Sequence, residues 1–254
     1  MRVATTHELP AHERVAAAIL SAEHVVVLTG LRLGQPESAD LTHARGEWAR
    51  RASLEALLTD PASFWEFAYP AAVEVAAREP GPGHHALARL QQAGLVSAVI
   101  TQAVDHLHTR AGGTDVVEVH GNLLTARCGR CDERYGLAEV APLMEESDDG
   151  VPRCTNEGCG FPLRPAGTLW GEPLIEPAVR RAWDLATQTD CFVVVDSDLR
   201  TVPMSLLPSV PLTRNVPLIM LGETKTQYDR YAHTLLRQPS EPVLVALADL
   251  IAPA

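Results

Sequence analysis

Short runs of consecutive apolar residues alternate along this chain with longer amphipathic stretches. Runs without a polar face are typical of parallel strands covered on both sides, and there are five of them: 25–30, 96–101, 116–121, 191–196 and 217–222. Helical patterns cover 10–23, 61–79, 83–94, 178–189 and 241–251. Ser240 is expected to cap the last helix, with Pro242 in its first turn. The alternation predicts an α/β fold, a Rossmann-like parallel sheet with helices on both faces.

Four of the five cysteines form two closely spaced pairs, Cys128-x2-Cys131 and Cys154-x4-Cys159. Two such pairs can bind one tetrahedral zinc ion through thiolates at about 2.3 Å. Because cysteine fills all four positions, no site is left for water and the zinc is expected to be structural. Free or disulfide-bonded cysteines are the alternative, which a cytosolic chain disfavours. Cys191 lies in an apolar run and is expected in the core.

The cysteine-bearing segment interrupts the alternation of strand and helix. It therefore predicts a small zinc-ribbon and helical insert at 125–165. The Rossmann-like domain would then be discontinuous, formed by 1–124 and 166–254, with part of a helical module near 35–80.

Composition narrows the classes of function. The 254 residues are 46% hydrophobic and 21% charged, which excludes wholesale disorder. The net charge of −11 argues against a nucleic-acid partner. No apolar run is long enough to span a bilayer and no hydrophobic leader precedes the first helix, so we expect a cytoplasmic protein without a membrane partner.

A glycine turn follows the first predicted strand. Gly30 and Gly34 flank it, and such a turn can bring backbone N–H groups against a dinucleotide pyrophosphate. Two glycines alone are a weak motif, and an ordinary strand-to-loop turn explains them equally well.

The polar residues that follow the next two strands are more specific. Gln102, Asp105, His106 and His108 lie within seven residues after one strand, and His120 follows the next. The carboxyl ends of parallel strands are where open α/β sheets bind ligands. Histidine is the usual general base near neutral pH, although a lone histidine is more often a satisfied structural residue.

Several segments resemble the sirtuin family in order and spacing. They are GHHALARLQQAG (83–94), TQAVDHLHTRAG (101–112), VEVHGNL (117–123), the two cysteine pairs and LRPAGTLWGEPL (163–174). The resemblance runs from about residue 25 to the end. It implies a Rossmann-like domain with a zinc-ribbon and helical small domain. It also implies NAD-dependent removal of acyl groups from protein lysines, with nicotinamide and O-acyl-ADP-ribose as products.

The resemblance also implies roles for individual residues. His120 stands for the general base, Gln102 for a ribose contact and Asp105 for the nicotinamide amide contact. Trp170, Gly171 and Glu172 stand where the family has Phe-Gly-Glu, the strand that pairs with the substrate backbone. Three further positions belong to the implied NAD site, namely Gly30, Gly34 and Ser197.

Other positions depart from the family pattern, chiefly around NAD. GLRLG replaces Gly-Ala-Gly-Ile-Ser, so that Leu31 and Arg32 occupy the phosphate turn, and Ala103 replaces the asparagine of Thr-Gln-Asn. Asp196-Ser197-Asp198 replaces Gly-Thr-Ser, and Gly222 replaces the asparagine of Ile-Asn. Two carboxylates about 4 Å apart repel by roughly 4 kcal/mol at an effective dielectric of 20, which would weaken NAD binding.

Acyl preference can be read from SFWEFAYPAAVE. Sirtuins that remove acidic acyl groups carry Tyr-x-x-Arg on this segment, whereas the corresponding positions here are Ala68 and Ala71, or Tyr69 and Ala72 in a shifted register. Without an arginine to pair with a succinyl carboxylate, acetyl or longer apolar acyl groups are expected.

Three hypotheses follow: an NAD-dependent lysine deacylase, a sirtuin-fold pseudoenzyme that binds acyl-peptides or another nucleotide, or a zinc-ribbon interaction module. The first two need His120 and Asp105, whereas a pure scaffold does not. The sequence favours the enzyme, with acyl-lysine proteins and NAD as its partners.

Overall fold

The computed structural model describes residues 10–31, 33 and 41–253, with the backbone alone described for 41–45. The helices are α1 (Ala11–Leu20), α2 (Leu41–Arg51), α3 (Leu54–Thr59), α4 (Pro61–Ala76), α5 (Pro82–Gln92), α6 (Leu107–Arg110), α7 (Leu137–Glu145), α8 (Glu176–Gln188), α9 (Ser209–Leu212) and α10 (Ser240–Ile251). The strands are β1 (Val25–Thr29), β2 (Ala98–Thr101), β3 (Val116–Glu118), β4 (Thr125–Cys128), β5 (Arg134–Gly136), β6 (Leu163–Pro165), β7 (Cys191–Val195), β8 (Leu218–Leu221) and β9 (Thr234–Leu236).

The larger sheet has six parallel strands in the order β3-β2-β1-β7-β8-β9. All five predicted strands are in it, and the sixth, β9, was not predicted. The chain builds the sheet outward from β1 through β2 to β3, and then returns beside β1 to continue through β7 to β9. This reversal places a topological switch point between β1 and β7, where open α/β sheets form a ligand crevice.

Both faces of this sheet are buried, which explains why its strands are apolar throughout. On one face, Val25 and Val27 of β1 pack in a core with residues of α1, α5 and α10. On the other, Val26 and Leu28 pack with residues of α8. The predicted arrangement of helices on both faces is confirmed. Cys191 lies in the first core as expected, and burial raises the pKa of its thiol to about 12.

The start of α10 differs from expectation in one detail. Pro239 is the residue before the helix, and Ser240 is its first residue rather than its cap. The Ser240 hydroxyl donates instead to a carboxylate oxygen of Asp196, at the end of β7.

A second sheet contains three antiparallel strands in the order β5-β4-β6 and carries the cysteine pairs. It shares a core with the helical segment α2–α4: Phe64, Trp65 and Ala68 of α4 pack with Ala126 and Leu163 of β4 and β6. The Trp65 indole N–H also donates to the Leu163 carbonyl at 3.2 Å. The division of the chain at 125 and 165 remains a prediction.

Candidate functional site

A cavity of about 790 Å³ lies at the carboxyl ends of the central strands. Gly30 lines it at the end of β1, Asp196 at the end of β7, and Gln102 at the end of β2. Its size is within the roughly 300–1,000 Å³ of small-molecule sites. The cavity therefore occupies the crevice that the switch point predicts.

Gly30, at the end of β1, lies against the end of β7. Its N–H donates to the Val195 carbonyl at 2.9 Å, and a Cβ atom at this position would lie 2.1 Å from the Asp196 carbonyl oxygen. Strand packing alone thus requires a glycine here. Leu31 also lines the cavity, whereas Arg32 and Gly34 lie outside the described residues.

Gln102 and Ser197 form a pair across the switch point. The Ser197 hydroxyl donates to Gln102 Oε1 at 2.6 Å, and Ser197 is only 4% exposed. The Gln102 N–H donates to the Thr29 carbonyl at 3.0 Å, which fixes the backbone of the turn after β2. The serine therefore orients the glutamine amide, and the glutamine is the member of the pair that lines the cavity.

Asp105 is buried at the start of the turn into α6 and also lines the cavity. Its Oδ1 accepts a hydrogen bond from the Leu107 N–H at 3.1 Å. The neighbouring His106 turns away: it has a φ of 61° and its Nδ1 lies 2.7 Å from Glu118 Oε1. Asp105 thus lines the cavity, whereas His106 supports the loop through Glu118.

His120 follows β3 and lines the cavity. Its carbonyl accepts a hydrogen bond from the Thr168 N–H at 2.7 Å, which ties the loop to the segment that precedes Trp170. Burial lowers the pKa of His120 below its usual value. The ring is therefore neutral at pH 7 and can accept a proton from a bound hydroxyl group.

The segment from Trp170 to Glu172 also lines the cavity. Its only strand-like contact among the described residues is a bridge to Ser53, with the Leu54 N–H donating to the Trp170 carbonyl at 2.9 Å. Trp170 is 48% exposed. Its backbone and indole can therefore meet a ligand that enters from solvent.

Glu172 anchors this segment. Its carboxylate accepts two hydrogen bonds from the Arg164 guanidinium and one from the Leu169 N–H at 2.8 Å. Burial by itself would raise the pKa of Glu172, but these hydrogen bonds and the Arg164 charge lower it. The glutamate stays ionised and holds the loop.

A buried network beneath the site was not anticipated from the sequence. Thr29 Oγ1 donates to Thr101 Oγ1 at 2.9 Å and lies 3.0 Å from His108 Nε2. Thr101 Oγ1 also accepts from the Ala103 N–H at 3.1 Å, and the His108 ring packs on His84 with centroids 4.8 Å apart. The sequence signal was a threonine at the end of each of two adjacent apolar strands.

The four paired cysteines meet in the smaller sheet. Their Sγ atoms all lie within 4.8 Å of one another, with Cys128 and Cys159 3.6 Å apart and Cys131 and Cys154 3.5 Å apart. A tetrahedral zinc with bonds of about 2.3 Å places its sulfur ligands roughly 3.8 Å apart. The cluster is therefore positioned to bind a metal ion.

No helix within 10–31, 33 and 41–253 has both the length and the apolar character that crossing a membrane requires.

Comparisons with known proteins agree with this geometry. Residues 45–203 match the model of the Sir2 family, which is more than half of the chain. The chain is 32% identical over 250 residues to NAD-dependent protein deacetylase 1 of Pyrobaculum aerophilum, covering 96% of this chain and 95% of that protein. It is 36% identical over 229 residues to the NAD-dependent protein deacetylase of Caldivirga maquilingensis, covering 88% and 87%. A solved structure of Sir2 with a p53 peptide and NAD+ superposes with a TM-score of 0.82 at 26% identity, covering 95% of this chain and 98% of that one.

Proposed function

This chain belongs to the Sir2 family, and we propose that it is an NAD-dependent protein lysine deacylase. It would transfer the acyl group of a modified lysine to ADP-ribose and release nicotinamide. The observation that carries the proposal is convergence: Gly30, Gln102, Asp105 and His120, from three strand ends, line one cavity together with Trp170.

His120 is the proposed general base. Its burial keeps the imidazole neutral, so that it can take a proton from a ribose hydroxyl placed against it. The hydrogen bond from Thr168 to its carbonyl fixes the loop that presents the ring. No other histidine among the described residues lines the cavity.

The residues present fit NAD, which supplies the ribose carbon that accepts the acyl oxygen and the nicotinamide that leaves. Gln102 is the proposed ribose contact, held in orientation by Ser197. Asp105 is the proposed contact for the nicotinamide amide. Gly30 allows the ends of β1 and β7 to lie close together beside the proposed dinucleotide site. Gly34, which the family resemblance assigns to the phosphate turn, is also proposed as part of the NAD site.

The acyl-lysine peptide is proposed to lie along Trp170 and Gly171. Gly171 has a φ of 90°, and no atom lies within 4 Å of the place where its Cβ would be. Space is therefore open beside this residue, where main-chain pairing with a substrate backbone is proposed. Glu172 contributes by anchoring the segment to Arg164.

One structural zinc ion is proposed at the four cysteines. All four ligands are thiolates, so no position is open for a reacting water, and the ion would stabilise the small sheet and its contact with α4.

Acetyl or longer apolar acyl groups are the proposed substrates rather than succinyl groups. Trp48, Ala52, Leu123 and Leu169 give one part of the cavity an apolar wall. Among the described lining residues the one guanidinium belongs to Arg78, just beyond α4. If the Arg78 guanidinium reached the acyl group, it would favour an acyl group with a carboxylate, such as succinyl. The test therefore includes a variant of Arg78.

The second candidate is a sirtuin-fold protein that binds acyl-peptides without turnover. It is favoured by the loss of a polar side chain at Ala103, which lines the cavity where the family has asparagine. A zinc-ribbon scaffold alone would leave the half-buried, cavity-lining His120 without a role.

The test is peptide deacylation with NAD, using acetyl-lysine and succinyl-lysine forms of one peptide. We expect faster turnover of the acetyl peptide, and a loss of roughly 100-fold or more in His120→Ala. His85→Ala is the matched control, since that histidine is exposed on α5. Arg78→Ala should leave the preference unchanged.

Binding of the acetyl peptide without nicotinamide release would favour the pseudoenzyme. Faster turnover of the succinyl peptide that is lost in Arg78→Ala would contradict the proposed acyl preference but not the deacylase activity.

A further inference from the structure

The turn that carries His120 is closed by one glutamate, the last residue of β3. The Gly121 N–H donates to the Glu118 carbonyl at 3.0 Å, which places His120 in the turn between them. Gly121 has a φ of 64°, and a Cβ atom at this position would lie 2.8 Å from the Ala166 carbonyl oxygen. The main chain around His120 is therefore held by a hydrogen bond before it and by close packing after it.

The side chain of Glu118 closes the same turn a second time. Its Oε2 accepts a hydrogen bond from Asn122 Nδ2 at 2.9 Å. Asn122 Oδ1 in turn accepts from the Leu124 N–H at 3.2 Å and from Thr125 Oγ1 at 3.1 Å. The glutamate side chain, 15% exposed, thus connects the residue two positions before His120 to the residue two positions after it.

The other oxygen of this carboxylate contacts the loop that follows β2. Glu118 Oε1 lies 2.7 Å from Nδ1 of His106, whose φ of 61° needs support from its surroundings in a residue other than glycine. The Leu123 N–H also donates to the Val104 carbonyl at 3.0 Å, so the backbones of the two loops are joined as well. Because Asp105 lies between Val104 and His106, the carboxylate connects the loop of Asp105 to the turn after β3.

These polar side chains support the site from outside the cavity. Glu118, His106 and Asn122 are not among the described residues that line it. They can therefore affect a bound ligand only through the loops that they hold. A general base must come within about 2.6–3.2 Å of the hydroxyl whose proton it takes, so the placement of the His120 turn is the property that these contacts control.

We propose that Glu118 is a positioning residue for His120: its carboxylate, held between Asn122 and His106, fixes the turn of the proposed base relative to the loop of Asp105. This inference rests on the proposed deacylase function. It also gives a role to His106, which the sequence placed beside Asp105 and which the cavity does not use.

The test is a double-mutant cycle in kcat, measured on the full chain with the acetyl peptide and saturating NAD. Glu118→Ala should lower kcat by roughly tenfold or more, because a displacement of about 1 Å in a catalytic group can cost 100-fold. If Glu118 acts through His120, the same change should lower kcat by less than about threefold in a chain that already carries His120→Ala. A residue that only stabilised the fold would have the same effect in both chains.

Three further variants accompany the cycle. Glu118→Gln keeps an oxygen that can accept from Asn122, and it should recover most of the kcat lost in Glu118→Ala. Glu145→Ala is the matched control, since it removes the same charge from an exposed position at the end of α7 and should leave kcat unchanged. His106→Gly removes only one contact of the carboxylate, and glycine adopts the positive φ without strain. The cycle is repeated with this variant, so that a result is obtained even where Glu118→Ala does not fold.

The possible outcomes separate the inference from the function on which it rests. An unchanged kcat in Glu118→Ala would overturn the inference alone. An equal loss of kcat with and without His120, from Glu118→Ala or from His106→Gly, would overturn it as well. Absence of NAD-dependent deacylation in the unmodified protein would overturn the proposed function and this inference together.

Discussion

Acid should destabilise this protein through one buried histidine. His108 lies in α6, is 3% exposed and packs its ring against His84. Burial, and to a lesser degree the nearby His84, lowers its pKa to about 3. The unfolded chain binds a proton near pH 6.5, so the neutral imidazole adds stability above that pH, and this stability is lost as the pH falls towards 3.

The magnitude follows from the separation of the two pKa values. With pKa values of about 6.5 unfolded and about 3 folded, the change from pH 7.0 to pH 4.5 removes about 2.5 kcal/mol of unfolding free energy through His108 alone. Protonation of cysteines and carboxylates will contribute as well. A variant that lacks only this titration is therefore needed.

His108→Gln is that variant, since its amide can still form a hydrogen bond with Thr29. Urea denaturation of both proteins at the two pH values gives four free energies. The unmodified protein should lose about 2.5 kcal/mol more than the variant. Equal losses in the two proteins would refute the assignment of a strongly lowered pKa to His108.

Three further predictions concern stability. Cys128→Ser should lower the melting temperature and the zinc content measured by elemental analysis, because metal binding contributes folding free energy; an unchanged melting temperature without zinc would contradict it. Gly30→Ala should cost more than about 2 kcal/mol in denaturant unfolding, since its Cβ would lie 2.1 Å from the Asp196 carbonyl oxygen; a cost within experimental error would show that β1 and β7 can separate there. Arg164→Met should cost about 3 kcal/mol by leaving the Glu172 carboxylate, 12% exposed, without its ion-pair partner. Most of that loss should be recovered in the double variant that adds Glu172→Gln.

The central sheet could be predicted because its strands are buried on both faces. Their continuous apolar runs differ from the pattern of a helix or of a half-exposed strand. β9 was missed because it has three residues and Leu235, its middle one, is 38% exposed. The first residue of α10 was misread because a serine two residues before a proline has the sequence signature of a cap, whereas the Ser240 hydroxyl donates to the distant Asp196 carboxylate.

The site could be predicted as a set of strand-end residues but not as a set of contacts. Gln102, Asp105 and His120 converge on one cavity because parallel strands end at one edge of the sheet. The hydrogen bonds from Ser197 to Gln102 and from Ser240 to Asp196 depend on side-chain directions that only the packed structure determines. The sequence analysis treated the Asp196 carboxylate as an obstacle to NAD. In the structure this carboxylate accepts a hydrogen bond from Ser240.

The measurement that tests the account most directly is the stoichiometry of products from an acetylated peptide and NAD, followed by mass spectrometry. Equal amounts of deacetylated peptide, nicotinamide and O-acetyl-ADP-ribose are expected, and His120→Ala should lower the formation of deacetylated peptide by roughly 100-fold or more. Deacetylation that proceeds without NAD, or nicotinamide release that is not matched by deacetylated peptide, would contradict it.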